Sequence, residues 1–132
     1  MSTKRSYTIS PLCEQDADPV MKLLRRTFYI DEPLNRAVGL CTSETDPCPE
    51  LDEYCTSSLL EGLSFKASDD AGNIVGALIN GDDNGNDLLS QAQRCENPKF
   101  QKILYILARR ESGARLWEKF PNDKQVVEVL HI

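Results

Sequence analysis

Hydrophobic and polar residues alternate over residues 7–10, the two-residue period of a short β-strand. Over residues 20–28, apolar side chains recur at helical spacing and basic side chains occupy the remaining face. Asp18 and Pro19 precede this pattern and predict the helix start, with the carboxylate as N-cap and the proline at the first helical position. We expect the helix to end and the chain to turn before Pro33, because a proline disfavours helical conformation in the residue before it.

The middle of the chain carries a weak helical pattern followed by two strand patterns. Residues 35–49 give a mixed signal interrupted by glycine and proline, and residues 51–60 return to a helical period. Residues 63–67 and 74–80 are typical of strands. Because the turn-forming residues 69–73 lie between them, we predict a β-hairpin.

The last third of the sequence predicts an acidic loop over residues 81–87, a long helix and a final strand. Pro98 opens the helix, which extends to Phe120 and is weakened at Gly113. Residues 126–132 predict a buried strand rich in β-branched side chains.

The order of these elements predicts one mixed α/β domain over residues 1–132. Since the final strand reaches the last residue, we expect this domain to be incomplete, with the sequence stopping in the fourth strand.

The composition of the chain argues against several classes of partner and of cellular location. A formal net charge of −6 argues against nucleic acid or anionic lipid as a partner. No apolar run approaches the roughly 20 residues of a membrane span, and residues 1–13 carry no apolar leader. The five cysteines are an odd number, which suits a reducing compartment better than a disulfide framework. We therefore expect a cytoplasmic protein without nucleic-acid or membrane partners.

Three cysteines recur every seven residues, at Cys41, Cys48 and Cys55, and this spacing invites comparison with a metal site. Zinc sites usually contain a close C-x₂₋₄-C pair, which this sequence lacks. We therefore expect small, partly buried thiols and no metal. The single histidine, His131, is a poorly placed candidate for a catalytic triad because it lies next to the last residue.

A partial calcium-loop pattern follows the hairpin, at Asn80, Asp82, Asn84 and Gly85 with Gln91 in the twelfth position. The pattern lacks the leading aspartate and the bidentate glutamate, and a strand precedes it instead of a helix. We expect a solvated loop at the exit of the hairpin.

Asp31 and Glu32 are the carboxylates best suited to acid–base chemistry. They follow an apolar turn at residues 28–30 and precede Pro33. Partial loss of water makes a carboxylate a stronger proton acceptor, as a general base for an ammonium substrate must be. The alternative is an ordinary loop carboxylate, and the residues alone leave both open.

The stretch Phe28-Tyr29-Ile30-Asp31-Glu32-Pro33-Leu34-Asn35 resembles the segment after the first helix of insect arylalkylamine N-acetyltransferases. These dopamine N-acetyltransferase-like enzymes are a branch of the GNAT acyltransferase superfamily. Further segments fit in the family's order, and they are Tyr7-Thr8-Ile9, Ser64-Phe65-Lys66-Ala67, Gly72-Asn73-Ile74-Val75-Gly76, Ile79-Asn80-Gly81 and Cys95-Glu96-Asn97-Pro98-Lys99-Phe100-Gln101-Lys102-Ile103-Leu104. The resemblance implies the N-terminal half of a GNAT-like α/β fold, a mostly antiparallel sheet with flanking helices, truncated in the fourth strand.

The resemblance also implies a reaction, the transfer of acetyl from acetyl-CoA to the primary amine of an arylalkylamine such as dopamine, tyramine, serotonin or tryptamine. In that family the glutamate at the position of Glu32 acts as general base, because the substrate arrives as an ammonium and only the free amine attacks the thioester. Pro33, Leu34 and Tyr29 are implied to help form the aromatic pocket, and Asp31 to favour a cationic amine. The implied partner is thus a small aromatic amine.

The sequence departs from the family at the loop that binds CoA. GNAT enzymes hold the CoA pyrophosphate on backbone N–H groups of an Arg/Gln-x-x-Gly-x-Gly/Ala loop after the fourth strand. No such loop occurs here, so the cofactor-binding residues are unassigned. Two hypotheses remain: the N-terminal half of an amine acetyltransferase, inactive by itself, or a truncated, non-catalytic binding or decoy module.

Overall fold

The computed structural model describes residues 6–82, 88–120, 122 and 127–131. The α/β class expected from the sequence is confirmed. In chain order the elements are β1 (Thr8–Pro11), α1 (Ala17–Arg26), α2 (Phe28–Asp31), α3 (Pro33–Val38), α4 (Pro49–Leu59), β2 (Phe65–Ser68), β3 (Ile74–Asp82), α5 (Leu88–Arg94), α6 (Pro98–Ala114), α7 (Leu116–Lys119) and β4 (Val127–His131). A short 3₁₀ turn at Glu14–Asp16 precedes α1.

The strands of the described residues form one sheet in the order β1-β2-β3-β4, in which each neighbouring pair is antiparallel. The predicted hairpin of β2 and β3 is confirmed. At its turn, Asp69 Oδ1 accepts hydrogen bonds from the backbone N–H groups of Ala71 (3.0 Å) and Asn73 (2.8 Å). Gly72 has a φ of 84°, a left-handed conformation that glycine adopts without steric cost. The turn residues therefore set the pairing of the two strands.

Helix α1 begins earlier than the sequence predicted. Its first residue is Ala17 and Asp16 is the N-cap, so the assignment of Asp18 as N-cap and Pro19 as first helical residue was wrong. The reason is that the 3₁₀ turn leads directly into the helix, which moves its start toward the N-terminus. Pro19 still lies in the first turn, where its missing N–H has no intrahelical acceptor.

Helix α1 also ends earlier than predicted, at Arg26 instead of just before Pro33. Thr27 interrupts it with φ −120° and ψ −75°, and its hydroxyl donates to the carbonyl of Leu23 at 2.7 Å. Such a bond from a β-branched residue to the carbonyl four residues earlier bends or interrupts a helix. The predicted single helix is therefore divided into α1 and the short α2.

The core lies between the sheet and the helices. Helices α1 and α4 pack on β3, and α6 packs against α3 and α5. The side chain of Lys99 near the start of α6 donates to the carbonyl of Gly39, which ends α3. A cluster of buried apolar residues connects these elements, and its members include Val20, Leu24, Tyr29, Leu51, Cys55, Leu59, Ile79, Ala92, Phe100, Ile103 and Leu104.

The long C-terminal helix begins at Pro98 as predicted, with the Asn97 side chain accepting hydrogen bonds from the first turn. It was expected to extend to Phe120, but Arg115 adopts a left-handed conformation (φ 53°) and separates α6 from α7. Gly113, the expected weak point, remains within α6. Helix α5 was not predicted, since its seven residues are too few to show a clear period.

The final strand is confirmed over Val127–His131, where it pairs with β3. Residues 126 and 132 of the predicted strand lie outside the described residues, as do residues 83–87 of the predicted loop. Gly81 and Asp82, expected in that loop, belong to β3. Among the described residues, every helix is too short or too polar to cross a bilayer.

Candidate active site at the corner of two short helices

Glu32 lies at the corner between α2 and α3. Its backbone is extended (φ −59°, ψ 135°), as expected for a residue that precedes a proline. Pro33 was expected to end a helix before a turn, but it opens α3 at the first helical position instead. The corner is compact because Glu32 N–H donates to Phe28 O (3.1 Å) and Glu32 O accepts from Arg36 N–H (2.8 Å).

The carboxylate of Glu32 is half-buried and caps α3. Its Oε2 accepts a 2.8 Å hydrogen bond from the backbone N–H of Asn35, the third helical residue. Among the described residues, Oε1 accepts no hydrogen bond from the protein. One oxygen thus fixes the orientation of the carboxylate, and the other remains available to accept a proton.

Asn35 belongs to the stretch that resembles the family but was not among the residues predicted for the site. The structure places it at the centre of this corner. Its side chain is buried, 2% exposed, and Nδ2 donates to the carbonyl of Phe28 at 3.0 Å. Its own carbonyl accepts from Leu40 N–H at 2.9 Å, near the end of α3. An amide three residues after a capping carboxylate is the signal that could have identified it.

Tyr29 lies in the core, with 1% of its surface exposed. Its hydroxyl donates to Oδ1 of Asp52 in α4 at 2.5 Å, and Arg25 Nη2 lies 3.3 Å from the same oxygen. Burial, followed by this hydrogen bond to a carboxylate, raises the pKa of Tyr29 well above its ordinary value. Sequence reasoning missed Asp52, which ties α4 to α2.

The remaining predicted residues surround Glu32 at the surface. Asp31 and Pro33 are exposed, and Leu34 is half-buried against the core. The structure therefore brings Asp31, Glu32 and Pro33 together on one accessible corner. Tyr29 lies in the core next to that corner, and its buried ring offers little surface to a substrate.

The three regularly spaced cysteines are buried thiols. Burial raises the pKa of Cys48 to about 11 and that of Cys55 to about 12, and it also raises the pKa of Cys41. Within the described ranges, no group of three or more His, Cys, Asp or Glu side chains is arranged to hold a metal ion.

The partial calcium pattern divides between described and undescribed residues. Asn80 is buried in β3, where Nδ2 donates to Leu63 O (2.7 Å) and the backbone N–H donates to Ser64 Oγ (3.0 Å). Asn84 and Gly85 lie outside the described residues, as does the side chain of His131.

A cavity of about 700 Å³ lies away from the corner, between α4, the end of β3 and the α5–α6 pair. Tyr54 and Phe100 line it in an edge-to-face pair with ring centroids 6.1 Å apart, beside several glutamates. Of the residues described, none of the five predicted for the site lines this cavity. The candidate site that contains the predicted residues is therefore the exposed corner and not this cavity.

Comparison with solved structures identifies the architecture. Arylalkylamine N-acetyltransferase 2 from Aedes aegypti matches with a TM-score of 0.86 at 26% sequence identity, over 94% of this chain and 58% of that chain. The chain has part of a GNAT fold. This confirms the predicted resemblance to the insect arylalkylamine N-acetyltransferases, while no family model matches the sequence.

Two other acetyltransferases share this partial GNAT fold at lower identity. Drosophila melanogaster polyamine N-acetyltransferase, which forms N-acetylagmatine, matches with a TM-score of 0.72 at 20% identity, over 88% of this chain and 55% of that chain. An apo form of an agmatine N-acetyltransferase mutant gives 0.76 at 20% identity, over 96% and 60%. The chain thus spans somewhat more than half the length of the structures that it matches.

Proposed function

We propose that this chain carries the general base of an N-acetyltransferase that transfers acetyl from acetyl-CoA to the primary amine of an arylalkylamine. The observation that supports this function is the carboxylate of Glu32, with Oε2 held by Asn35 N–H and Oε1 without a protein partner among the described residues. The similarity to an Aedes aegypti arylalkylamine N-acetyltransferase over 94% of the chain supports the reaction class.

Glu32 removes the proton that blocks the reaction. An arylalkylamine is an ammonium near neutral pH, and its nitrogen has a free electron pair only after Oε1 takes a proton, directly or through water. The nitrogen then bonds to the acetyl carbon and the thioester C–S bond breaks. The nitrogen loses its second proton to the departing sulfur, and CoA leaves as the thiol. Acetyl-CoA supplies the acetyl group, and we assign no described residue to its pyrophosphate.

The neighbours of Glu32 fit a cationic amine. Asp31 is exposed beside it and adds negative charge to a chain whose formal net charge is −6. Pro33, which is exposed, and Leu34, which is half-buried, follow Glu32 and supply apolar surface. We propose that these three residues contact the amine, that Tyr29 supports them from the core, and that dopamine, tyramine, serotonin and tryptamine are acceptors.

Polyamines are the second candidate class of acceptor. Two of the structures that share the fold are acetyltransferases of polyamines or agmatine. Such substrates carry a second cation in place of an aromatic ring. An acidic corner with Asp31 exposed suits either class, so the choice between them depends on measured rates.

We also propose that the reaction takes place in the cytoplasm. The five cysteines all lie in the described part of the chain and form no disulfide there, which fits a reducing compartment. The partner is then a small cytoplasmic amine, without nucleic acid or membrane.

Acetyl transfer is tested with the complete gene product that carries this sequence, beside the 132-residue chain itself. Each protein receives acetyl-CoA and one of tyramine, dopamine, tryptamine, agmatine or spermidine, and the acetylated amine is measured by mass spectrometry. We expect the aromatic amines to be acetylated with the higher kcat/KM, and Glu32→Gln to lower the rate by roughly 10²–10⁴-fold, the usual contribution of a general base.

Calorimetric titration of acetyl-CoA and tyramine into both proteins accompanies the assay. Amine binding without acetyl transfer in the complete gene product would overturn the enzyme proposal in favour of a binding module. Faster acetylation of agmatine than of any aromatic amine would move the proposal to the polyamine class. Unchanged acetylation by Glu32→Gln would remove this residue from the base role.

A further inference from the structure

Asn35 is a polar residue that is almost completely buried, and its groups connect both sides of the corner. The backbone N–H holds Glu32 Oε2 at 2.8 Å, and the side-chain Nδ2 holds Phe28 O at 3.0 Å. Because the exposed fraction of Asn35 is 2%, water does not readily replace these partners. The cost of burying the amide is offset by hydrogen bonds at the corner.

The side-chain bond of Asn35 shares its acceptor with the backbone of Glu32. Phe28 O accepts from Asn35 Nδ2 and also from Glu32 N–H, at 3.1 Å. The backbone of Glu32 is therefore fixed through Phe28, and its carboxylate is fixed through the N–H of Asn35. Loss of the Asn35 side-chain amide removes the link between Phe28 O at the start of α2 and the first turn of α3, so that the turn whose backbone N–H orients Oε2 is no longer tied to α2 by this bond.

We propose that Asn35 is the positioning residue of Glu32: it holds the carboxylate so that Oε1 faces the amine while Oε2 is tied to the helix. Asn35 contacts no substrate and transfers no proton. This inference rests on the proposed function, because positioning has a kinetic effect only where Glu32 acts as the base. A displacement of about 1 Å at a catalytic group can lower a rate by roughly 10²-fold.

The experiment is a double-mutant cycle in the complete gene product, with tyramine and acetyl-CoA as substrates. Asn35→Ala, Glu32→Gln and the double variant are compared with the parent for kcat and for KM of acetyl-CoA. We expect Asn35→Ala to lower kcat by roughly 10- to 100-fold with KM of acetyl-CoA unchanged. In the Glu32→Gln background the same substitution is expected to change kcat by less than about twofold, because the base is already absent.

Asn97→Ala is the matched control, because it also removes an asparagine that stabilises a helix start. The Asn97 side chain accepts from the N–H groups of Lys99 and Phe100 at the start of α6 and has no hydrogen bond to Glu32. A purely structural loss of this kind is expected to change kcat by the same factor in both backgrounds. Asn35→Leu serves where Asn35→Ala does not fold, because it keeps nearly the same side-chain size, has no N–H for Phe28 and buries no charge.

The outcomes distinguish failure of this inference from failure of the proposed function. An equal factor for Asn35→Ala in both backgrounds would reduce Asn35 to a structural role and overturn this inference, while the proposed function stands. An unchanged kcat for a folded Asn35→Ala protein would overturn it too. If the parent protein acetylates none of the amines, the proposed function fails, and the inference fails with it. Activity that survives Glu32→Gln would contradict the base assignment separately.

Discussion

The hydroxyl of Tyr29 donates a 2.5 Å hydrogen bond to Oδ1 of Asp52, across 23 residues of sequence. Tyr29 belongs to α2 and Asp52 to α4, so this contact fixes the helix that leads into Glu32 against a helix that packs on the sheet. Arg25 pairs with the same carboxylate from α1. The candidate base therefore follows directly after a short helix, α2, that contacts α1 and is hydrogen-bonded to α4.

We expect Tyr29→Phe to lower the free energy of unfolding by roughly 1.5–3 kcal/mol, the usual contribution of a hydrogen bond to a charged group. The substitution keeps the buried ring and removes only the hydroxyl, which leaves Asp52 with Arg25 as its partner. Urea denaturation of both proteins measures the change. Tyr105→Phe is the control, because Tyr105 is 41% exposed, and its expected change lies within about 0.5 kcal/mol.

Substitutions of Glu32 should separate its structural role from its proposed chemical role. Glu32→Gln keeps a side-chain oxygen that can accept from Asn35 N–H, whereas Glu32→Ala leaves the start of α3 uncapped. We expect Glu32→Ala to lower the free energy of unfolding by about 1 kcal/mol, and Glu32→Gln by less. Both should abolish most of the acetyl transfer. Equal unfolding midpoints for Glu32→Ala and the parent would show that the cap contributes nothing to stability.

The sequence could predict the strands from local signals, which are alternation in the first strand, turn residues between the hairpin strands and β-branched side chains in the last. The hairpin at Asp69 and Gly72 and the start of α6 at Pro98 are local features of this kind. The division between α1 and α2 was not predictable from periodicity. The apolar spacing continues through Thr27, and the interruption depends on a side-chain bond to Leu23 O that no pattern of hydrophobicity records.

The candidate site, too, could be predicted from the sequence only in part. Glu32 could be identified from its neighbours and from the family resemblance, since both are local in sequence. The carboxylate itself is held by local contacts, but the helix that precedes it is anchored by a distant one, because Asp52 reaches Tyr29 from another helix. Asn35 lies close to Glu32 in sequence, but asparagine is a residue type that is mostly exposed in folded proteins. The role of Asn35 at the corner depends on the burial of its side chain, which cannot be predicted from the sequence pattern.

The cysteines are expected to differ in reactivity toward iodoacetamide. Thiol alkylation requires the thiolate, and burial raises the pKa of Cys48 to about 11 and that of Cys55 to about 12. Cys13 is exposed. We expect Cys13 to be alkylated first in the folded protein, and Cys48 and Cys55 only after unfolding in urea, as measured by peptide mass spectrometry. Rapid alkylation of Cys55 in the native protein would contradict the buried position.

The acid stability of the fold should depend on Asp16 and Lys66. The two side chains are 2.7 Å apart at the junction of the 3₁₀ turn and the sheet, and both are largely buried. The hydrogen bond from Lys66, followed by the one from Cys13 N–H, holds the pKa of Asp16 below its ordinary value. A carboxyl group whose pKa is lower in the folded protein stabilises the fold above its unfolded pKa, about 3.9, and loses this effect as the pH falls through the folded value.

We therefore expect Asp16→Asn to lower the free energy of unfolding by about 1–3 kcal/mol at neutral pH. This difference from the parent protein should be constant above about pH 5 and should shrink steadily below about pH 4, where the parent carboxylate becomes protonated. Asp46 and Asp69 also have pKa values held low by hydrogen bonds, so the comparison uses the difference between the two proteins instead of the parent curve alone. Urea denaturation over a pH series measures it, with Lys66→Met as the variant that removes the other partner. A difference that persists unchanged near pH 2 would show that the ion pair is not the source of the acid sensitivity.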